Sequence, residues 1–201
     1  MSSICLVHMR HVHFLLLTVT HTLREFWTSS CEVPNFPEFV SVGVLNEHTI
    51  YYFDSITRRT VIKQEWMNKI IEEEPKVQEW RTLRDINREQ VDKARLQISK
   101  LQFNQTEGIH ILQRMVGCEW DDETDKIRGY HQTAFDGEDF IWFDWDTQTF
   151  VAAKSQAFAT KLQWEKNGEA LNVNYEVTHL CANYLKKFVR IGDKAIKRKG
   201  K

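Results

Sequence analysis

The sequence lacks a long apolar run, an excess of charge of one sign and any short-period repeat. No segment approaches the roughly 20 apolar residues of a membrane-spanning helix, so we expect membrane attachment only through a segment absent from this chain. The formal net charge of −1 gives no long-range attraction to nucleic acid, and no nucleic-acid partner is predicted. The basic stretch KAIKRKGK over residues 194–201 is a local exception. It is typical of a solvated tail, with a trafficking or nucleic-acid signal as the alternative.

Cysteine is also sparse, with four residues in a chain of 201. The apolar segment Phe14–Val19 follows Arg10 and His13 and resembles a short secretory signal, although a misassigned first exon would look the same. We therefore predict a leader over residues 1–20, and Cys5 falls inside it. Three cysteines remain for the rest of the chain, so one must stay unpaired, and we expect that one to be Cys31.

Residue patterns that support catalysis are missing as well. The carboxylates of residues 121–123 lie at the tip of a predicted hairpin, where solvated turn residues are expected. No histidine is paired by spacing with a free nucleophile. The metal-like spacing of His8, His11 and His13 falls within the predicted leader. We predict neither an enzyme nor a metal or cofactor site.

The remaining chain has 42% hydrophobic residues, enough for a sizeable core, and divides into two halves of similar layout. Each half, 21–107 and 108–190, begins with alternating apolar and polar residues typical of strands and ends with helical spacing. The main predicted elements are strands at Thr22–Ser29, Phe39–Leu45, Ile109–Val116 and Ile127–Phe135, and helices at Pro75–Phe103, Ser155–Asn167 and Gly168–Arg190. Antiparallel strands with helices on one face predict an α+β fold, followed by a basic tail over residues 191–201.

Six short motifs suggest a family. They are EVPNFP at 32–37, KQEW at 63–66, NQT at 104–106, GCEW at 117–120, RGYHQ at 128–132 and TKLQW at 160–164. Their order and spacing resemble the antigen-recognition region of an MHC class I heavy chain of a fish-like kind, from about Thr20 to Gly192. The resemblance implies one eight-stranded antiparallel sheet beneath two long helices, with a ligand groove between them.

Three features follow from this resemblance. Cys118 and Cys181 match the disulfide that ties the fifth strand to the second helix. Asn104 lies in a glycosylation sequon at the position where the family carries an N-glycan. A third set matches the underside of the sheet, which contacts beta-2-microglobulin: Phe26, Gln113, Met115, Gln132, Asp136, Gly137 and Asp139.

The family's clamp for peptide ends is mostly missing. Free peptide termini are charged, so their burial requires dedicated hydrogen-bond partners. The four tyrosine positions of the N-terminal pocket are occupied by Glu25, Val77, Glu176 and Phe188, although Tyr175 could restore one of them by a one-residue shift. At the other end, Gln163 replaces a lysine and Gln102 replaces a tyrosine, whereas Thr160 and Trp164 remain.

The predicted groove is rich in charge. Arg81, Arg84, Arg88 and Arg95 lie on one face of the first long helix, and the resemblance directs that face into the groove. Strand alternation brings a second set up from the floor: Glu25, Trp27, Leu112, Arg114, Val116, His131 and Thr133. Three interpretations stay open: arginines that are solvated or paired with nearby carboxylates, namely Asp85, Asp92, Glu25 and Glu176; a pocket for an anionic or polar non-peptide ligand; or a peptide groove with altered end recognition.

These observations predict a non-classical MHC class I-like recognition module, displayed outside the cell, at the surface or in secreted form. Its expected partners are beta-2-microglobulin, a T-cell or NK-type receptor and a peptide or non-peptide groove ligand. The alternatives are classical presentation of endogenous peptides to T cells, or a truncated soluble decoy. The last arises because class I chains normally continue into an immunoglobulin domain and a membrane span.

Overall fold

The computed structural model describes residues 19–31 and 33–199, with side chains described as far as Gly192. The predicted leader, with Cys5 and the three closely spaced histidines, lies outside the described residues except for Val19 and Thr20. Most side chains of the basic tail lie outside them too. No helix in the described part of the chain is long and apolar enough to cross a membrane.

One antiparallel sheet of eight strands forms the floor of the molecule. The strands are β1 (Thr20–Cys31), β2 (Phe39–Leu45), β3 (His48–Asp54), β4 (Val61–Ile62), β5 (His110–Asp121), β6 (Ile127–Phe135), β7 (Glu138–Asp144) and β8 (Thr149–Ala152). Their order across the sheet is β4-β3-β2-β1-β5-β6-β7-β8, so the first strands of the two halves pair at the centre. That pairing sets Glu25 opposite Val116 and Trp27 opposite Arg114.

A two-residue turn joins β6 to β7. Asp136 and Gly137, with φ of 50° and 82°, form the two-residue turn between β6 and β7. Positive φ at both positions matches the twist of the paired strands, and glycine adopts it without steric cost. This turn fixes which residues of β6 face the helices.

Helical segments cross the sheet in two lines. The helices are α1 (Asn68–Glu73), α2 (Lys76–Gln102), α3 (Phe158–Lys166), α4 (Glu169–Tyr175) and α5 (Ala182–Lys199); a π-helical segment at Glu176–Cys181 joins α4 to α5, and short 3-10 turns precede α1 and α3. Pro75 stands just before α2, where its missing N–H is tolerated. Gly168, with φ of 71°, separates α3 from α4. The last helix continues to Lys199, beyond the end predicted at residue 190.

The core lies between the sheet and the helices in two apolar clusters. One surrounds Trp27, Phe53 and Leu185. It lies beneath the start of α2 and the end of the second helical line, which runs from α3 through α4 to α5. The other surrounds Phe140 and Phe150, beneath the end of α2 and α3. The predicted α+β fold with eight strands and helices on one face is confirmed. The space between the two helical lines is the candidate site.

Candidate functional site

The predicted groove residues converge between α2 and the second helical line. The four arginines of α2 meet side chains from β1, β5 and β6, because alternate residues of those strands point to the same face. Among the floor residues, Trp27, Arg114 and His131 are buried, with 1%, 4% and 4% of their surface exposed. Charged and aromatic groups therefore share a space that has little contact with water.

Two glutamates hold three of the arginines. Arg81 Nη1 donates to Glu25 Oε1 at 2.8 Å, and Arg84 Nη1 donates to both carboxylate oxygens of Glu25 at 2.9 and 3.0 Å. Arg84 Nη2 donates to Glu176 at 2.7 Å, and Arg88 Nη2 donates to both oxygens of Glu176 at 2.7 and 2.9 Å. Of the three interpretations of these arginines, the structure favours pairing with carboxylates over an open site for an anion.

These pairs extend across the groove. Arg84 and Arg88 belong to α2, whereas Glu176 begins the π-helical segment on the opposite side. Further along, Arg95 Nη2 donates to Glu169 of α4 at 3.1 Å. Links at three positions, Glu176, Glu169 and Thr160, thus join the two helical lines, the last being a neutral hydrogen bond from Gln102 Nε2 to the Thr160 hydroxyl at 2.9 Å. We call them the cross-groove bridges.

Glu169 is a bridge residue that sequence reasoning missed. It lies seven residues before Glu176, which is two helical turns, and therefore on the same face. That spacing mirrors the seven residues between Arg88 and Arg95 on α2. The matched pair of spacings was the signal that could have found it.

Electrostatics keep Glu25 and Glu176 ionised beside their arginines. Burial by itself raises the pKa of Glu25, but the Arg81 and Arg84 guanidinium groups outweigh it and hold that pKa well below its ordinary value. The pKa of Glu176 is lowered for the same reason, with burial opposed by Arg88 and Arg84. Burial lowers the pKa of Arg84, but Glu25 and Glu176 more than reverse this. Glu25, Arg84 and Glu176 are therefore charged at neutral pH.

A second polar group occupies the middle of the floor. Arg114 Nη1 donates to Asp92 at 2.7 Å, and Arg114 Nη2 donates to His131 Nε2 at 3.1 Å. Arginine has no acceptor, so His131 accepts at Nε2 and carries its proton on Nδ1. Burial, together with the adjacent Arg114, lowers the pKa of His131 well below its ordinary value. Burial likewise lowers the pKa of Arg114 to about 10, which leaves it charged at neutral pH.

Aromatic faces support the cations. The guanidinium carbons of Arg88 and Arg114 lie 4.7 and 5.0 Å from the ring centroid of Trp27. Arg95 lies 4.8 Å from Trp164. Such contacts add about 0.5–2 kcal/mol each, depending on how far the cation is desolvated. Arg88, Arg95 and Arg114 therefore contact aromatic rings in addition to their hydrogen-bond partners.

Two cavities remain under the bridges. The larger, about 110 Å³, lies at the Glu25 end. Its lining includes the predicted groove residues Val77 and Phe188, and also Leu23, Met67 and Ile70. The smaller, about 30 Å³, lies at the Trp164 end and is lined in part by the remaining predicted groove residues of that end: Leu112, Thr133, Thr160 and Gln163. Met67 and Ile70 were not predicted, because nothing in the sequence relates the short helix α1 to the groove.

The predicted disulfide between Cys118 and Cys181 is present. It joins β5 to the π-helical segment, beside the larger cavity. Cys31 is the unpaired cysteine of the described residues. Asn104 is exposed just after α2, so its side chain is open to modification.

The underside of the sheet carries the residues predicted to contact a partner. Phe26 is 39% exposed, Gln113 is exposed, and Gln132 Nε2 donates to Asp139 at 2.7 Å. Asp136 accepts from the backbone N–H of Ile111 at 2.8 Å. Gly137 is exposed in the turn, and Met115 is half-buried. Phe26, Gln113, Met115 and Gln132 alternate with groove-facing residues of their strands and so point to the opposite face, whereas Asp136 and Gly137 lie in the turn at the end of β6.

Comparisons with known proteins agree with this architecture. The family model described as "Class I Histocompatibility antigen, domains alpha 1 and 2" matches residues 19–196. The chicken (Gallus gallus) class I histocompatibility antigen F10 alpha chain is 35% identical over 175 residues, which is 86% of this chain and 49% of that protein. The rat (Rattus norvegicus) major histocompatibility complex class I-related protein 1 is 34% identical over 187 residues, 90% of this chain and 52% of that protein.

A mouse (Mus musculus) relative, the H-2 class I histocompatibility antigen K-K alpha chain, is 32% identical over 183 residues, covering 89% of this chain and 48% of that protein. The chain thus spans about half the length of these relatives. The fish-like character stays a prediction. With a family model covering most of its residues, the chain belongs to the class I histocompatibility antigen family, in the region of the alpha-1 and alpha-2 domains.

Proposed function

We propose that this chain is the recognition platform of a non-classical class I molecule, which displays its helices to an immune receptor without an extended peptide between them. The observation that carries this proposal is the set of cross-groove bridges. They join the helical lines at Glu176, at Glu169 and at Thr160, which divides the groove along its length. Family membership also confirms that the chain is not an enzyme.

A peptide would have to break these bridges in order to lie in the groove. Separating Glu176 from Arg84 and Arg88 leaves a partly buried carboxylate without its charged partners, and loss of one member of a buried pair costs about 3–5 kcal/mol. Glu25 offers no compensation to the ammonium group at a peptide's N-terminus. It is already shared by Arg81 and Arg84, whose positive charges repel another cation.

Receptor contact is supported by apolar side chains exposed on the helices. Leu83 and Leu101 on α2 are 59% and 64% exposed, and Leu162 and Leu171 on the opposite line are 51% and 76% exposed. Exposed apolar groups on a rigid surface are typical of protein-binding sites. We infer that a T-cell or NK-type receptor contacts these side chains.

The underside of the sheet supports a second partner, beta-2-microglobulin. An exposed phenylalanine at Phe26, surrounded by polar side chains, offers an apolar anchor with a polar rim. Co-expression with beta-2-microglobulin should give a complex that Met115→Arg disrupts, whereas Leu83→Arg, on the helical face, should leave it intact. Equal complex formation by both variants would reject this surface.

An extracellular location, at the cell surface or in secreted form, fits the exposed sequon. Secretory expression should attach a glycan that peptide-N-glycosidase removes, and Asn104→Gln should abolish the resulting change in mobility. A glycan that persists in that variant would show that the assignment to Asn104 is wrong.

The proposed function is tested by eluting ligands from protein co-expressed with beta-2-microglobulin in mammalian cells. We expect no enrichment of peptides of defined length compared with a mock purification. A matched variant, Glu176→Ala, removes the central bridge and should increase peptide recovery if the bridges exclude peptides. Abundant, length-restricted peptides from the wild-type protein would overturn the proposal.

A further inference from the structure

We propose that the cavity at the Glu25 end of the groove binds one small, uncharged, mostly apolar molecule about the size of an aromatic ring. The cavity lies between β1, α1, the start of α2 and α5. This inference rests on the proposed function, because a groove that held an extended peptide would not keep the cavity as a separate chamber.

The walls of the cavity are mostly apolar. Leu23 comes from β1, Ile70 from α1, Val77 from α2 and Phe188 from α5. Leu23, Ile70 and Phe188 are each less than 10% exposed, so they form part of the core and are not a mobile surface. Enclosed apolar walls with few polar groups are typical of small-molecule sites.

Charge on the walls argues for an uncharged ligand. The charged residues of the lining are Glu25, Arg81, Arg84 and Glu176, two of each sign, and all four are paired. An anion would compete with a glutamate for the arginines, and a cation would be repelled by them. Burying either ion without a free counter-ion is costly. The anionic ligand considered from the sequence is therefore disfavoured at this end.

One polar group of the lining remains unsatisfied. Arg81 Nη2, like Nε of the same guanidinium, is buried and has no hydrogen-bond partner among the described residues. A neutral oxygen or ring nitrogen on the ligand could accept from it without disturbing the Arg81–Glu25 pair. The ligand class is therefore an apolar ring or short chain that carries one neutral acceptor.

Size and access agree with this class. An engineered protein cavity of about 150 Å³ binds benzene, and the cavity here is about 110 Å³. Val77, Trp80 and Tyr184 line both the cavity and an open cleft beside Pro75, so we infer that a ligand enters from this side. The indole of Trp80 stacks on Tyr184 with ring centroids 6.3 Å apart, on the same side.

The test uses phenol, a ring with one neutral acceptor, and benzoate, its anionic counterpart, titrated into the purified protein by calorimetry. We expect saturable binding of phenol with one site, and binding of benzoate weaker by about tenfold or more. Val77→Trp fills the cavity and should weaken phenol binding by at least about tenfold. Ile98→Trp is the matched control at the smaller cavity and should leave phenol binding unchanged.

If Val77→Trp does not fold, Leu180→Trp, on another wall of the same cavity, replaces it. Binding of benzoate as tight as that of phenol, or phenol binding that survives both cavity variants, would overturn the inference. Absence of phenol binding would also overturn it. None of these results affects the peptide-elution test, so the ligand proposal and the proposed function fail separately.

Discussion

The two ends of the groove are closed by different chemistry. At the Glu25 end, charged bridges stand over an apolar cavity of about 110 Å³. At the Trp164 end, one charged pair, Arg95–Glu169, and a neutral hydrogen bond between Gln102 and Thr160 stand over a cavity of about 30 Å³. The difference lies in what fills the space below, since packed aromatic rings occupy the Trp164 end. Phe150 and Trp164 lie 5.0 Å apart between centroids, and Phe103 and Phe135 lie 4.8 Å apart.

The residues that bridge the groove and the residues that fill the space beneath it are therefore different. Long guanidinium side chains cross the gap without occupying the volume beneath them. At the Trp164 end, aromatic rings fill most of that volume, so only a small cavity remains beneath the bridge. One end can therefore be closed to a peptide and still accept a small molecule, whereas the other has no such space.

The largest expected effect concerns the disulfide, which is present only at the Glu25 end in the described part of the chain. Replacing both Cys118 and Cys181 by alanine should lower the free energy of unfolding by about 4 kcal/mol, because a loop of 63 residues is no longer closed in the unfolded state. Denaturant unfolding measures this loss. Cys31→Ala serves as the control for removing a thiol. Hydrogen exchange should show the π-helical segment losing protection before α3; equal loss at both would contradict the difference between the ends.

The second effect tests the charged bridges. Glu25→Gln should lower the free energy of unfolding by about 3 kcal/mol, because Arg81 and Arg84 lose the carboxylate that balances their burial. Thermal and urea unfolding provide the measurement. Glu165→Gln breaks a half-exposed pair with Lys161 on the outside of α3 and should cost less than about 1 kcal/mol. If the two variants were equally stable, the buried pairs would not determine stability at this end.

A third effect separates the middle of the floor from the Glu25 end by pH. The pKa of His131 is lowered in the folded state, so as pH falls from 7 to 5 the unfolded chain takes up a proton that the folded protein does not. Stability should therefore fall by up to about 2 kcal/mol over that window, as measured by urea unfolding at each pH. His131→Gln, which keeps an acceptor for Arg114, should remove this slope.

Glu25 acts in a different window. Its folded-state pKa is depressed, so its contribution is complete above the ordinary value of 4.5 and is lost only as pH falls below that value. Glu25→Gln should therefore leave the slope between pH 7 and 5 unchanged. A slope that survives in His131→Gln and disappears in Glu25→Gln would reverse this assignment.

The smallest effect concerns the neutral bridge. Gln102→Ala should lower the free energy of unfolding by about 1 kcal/mol, the net contribution of an ordinary hydrogen bond, as measured by thermal unfolding. Gln156→Ala is a suitable control, since its exposed side chain hydrogen-bonds only to the neighbouring Ser155 among the described residues. A loss as large as that of Glu25→Gln would mean that the two ends are equally dependent on their bridges.

Much of the fold could be predicted because it depends on local patterns. The long helix was expected over Pro75–Phe103 and is found over Lys76–Gln102, since proline and helical apolar spacing act within a few residues. The final helix was wrongly ended at residue 190: Gly192, a residue type that often follows a helix end, lies within the helix here, so a local signal did not decide the boundary. The predicted family and fold are confirmed. The predicted partners stay predictions.

The bridges could not be chosen from the sequence. Glu176 lies 92 residues from Arg84, and Glu169 lies 74 residues from Arg95. Which carboxylate meets which arginine depends on how far α2 and the second helical line slide past each other on the sheet. That distance is set by core packing beneath both helices, which no local pattern specifies.

The sequence by itself determined the main strands, the turn at Asp136–Gly137, the long helix and an arginine face on that helix. These are consequences of backbone preference, side-chain period and residue type. Only the tertiary structure decided that the arginines cross the groove to Glu176 and Glu169 and that Glu25 is shared by two of them. It also decided that a cavity remains beneath them, because ion pairing and enclosed volume depend on the spacing of side chains distant in sequence.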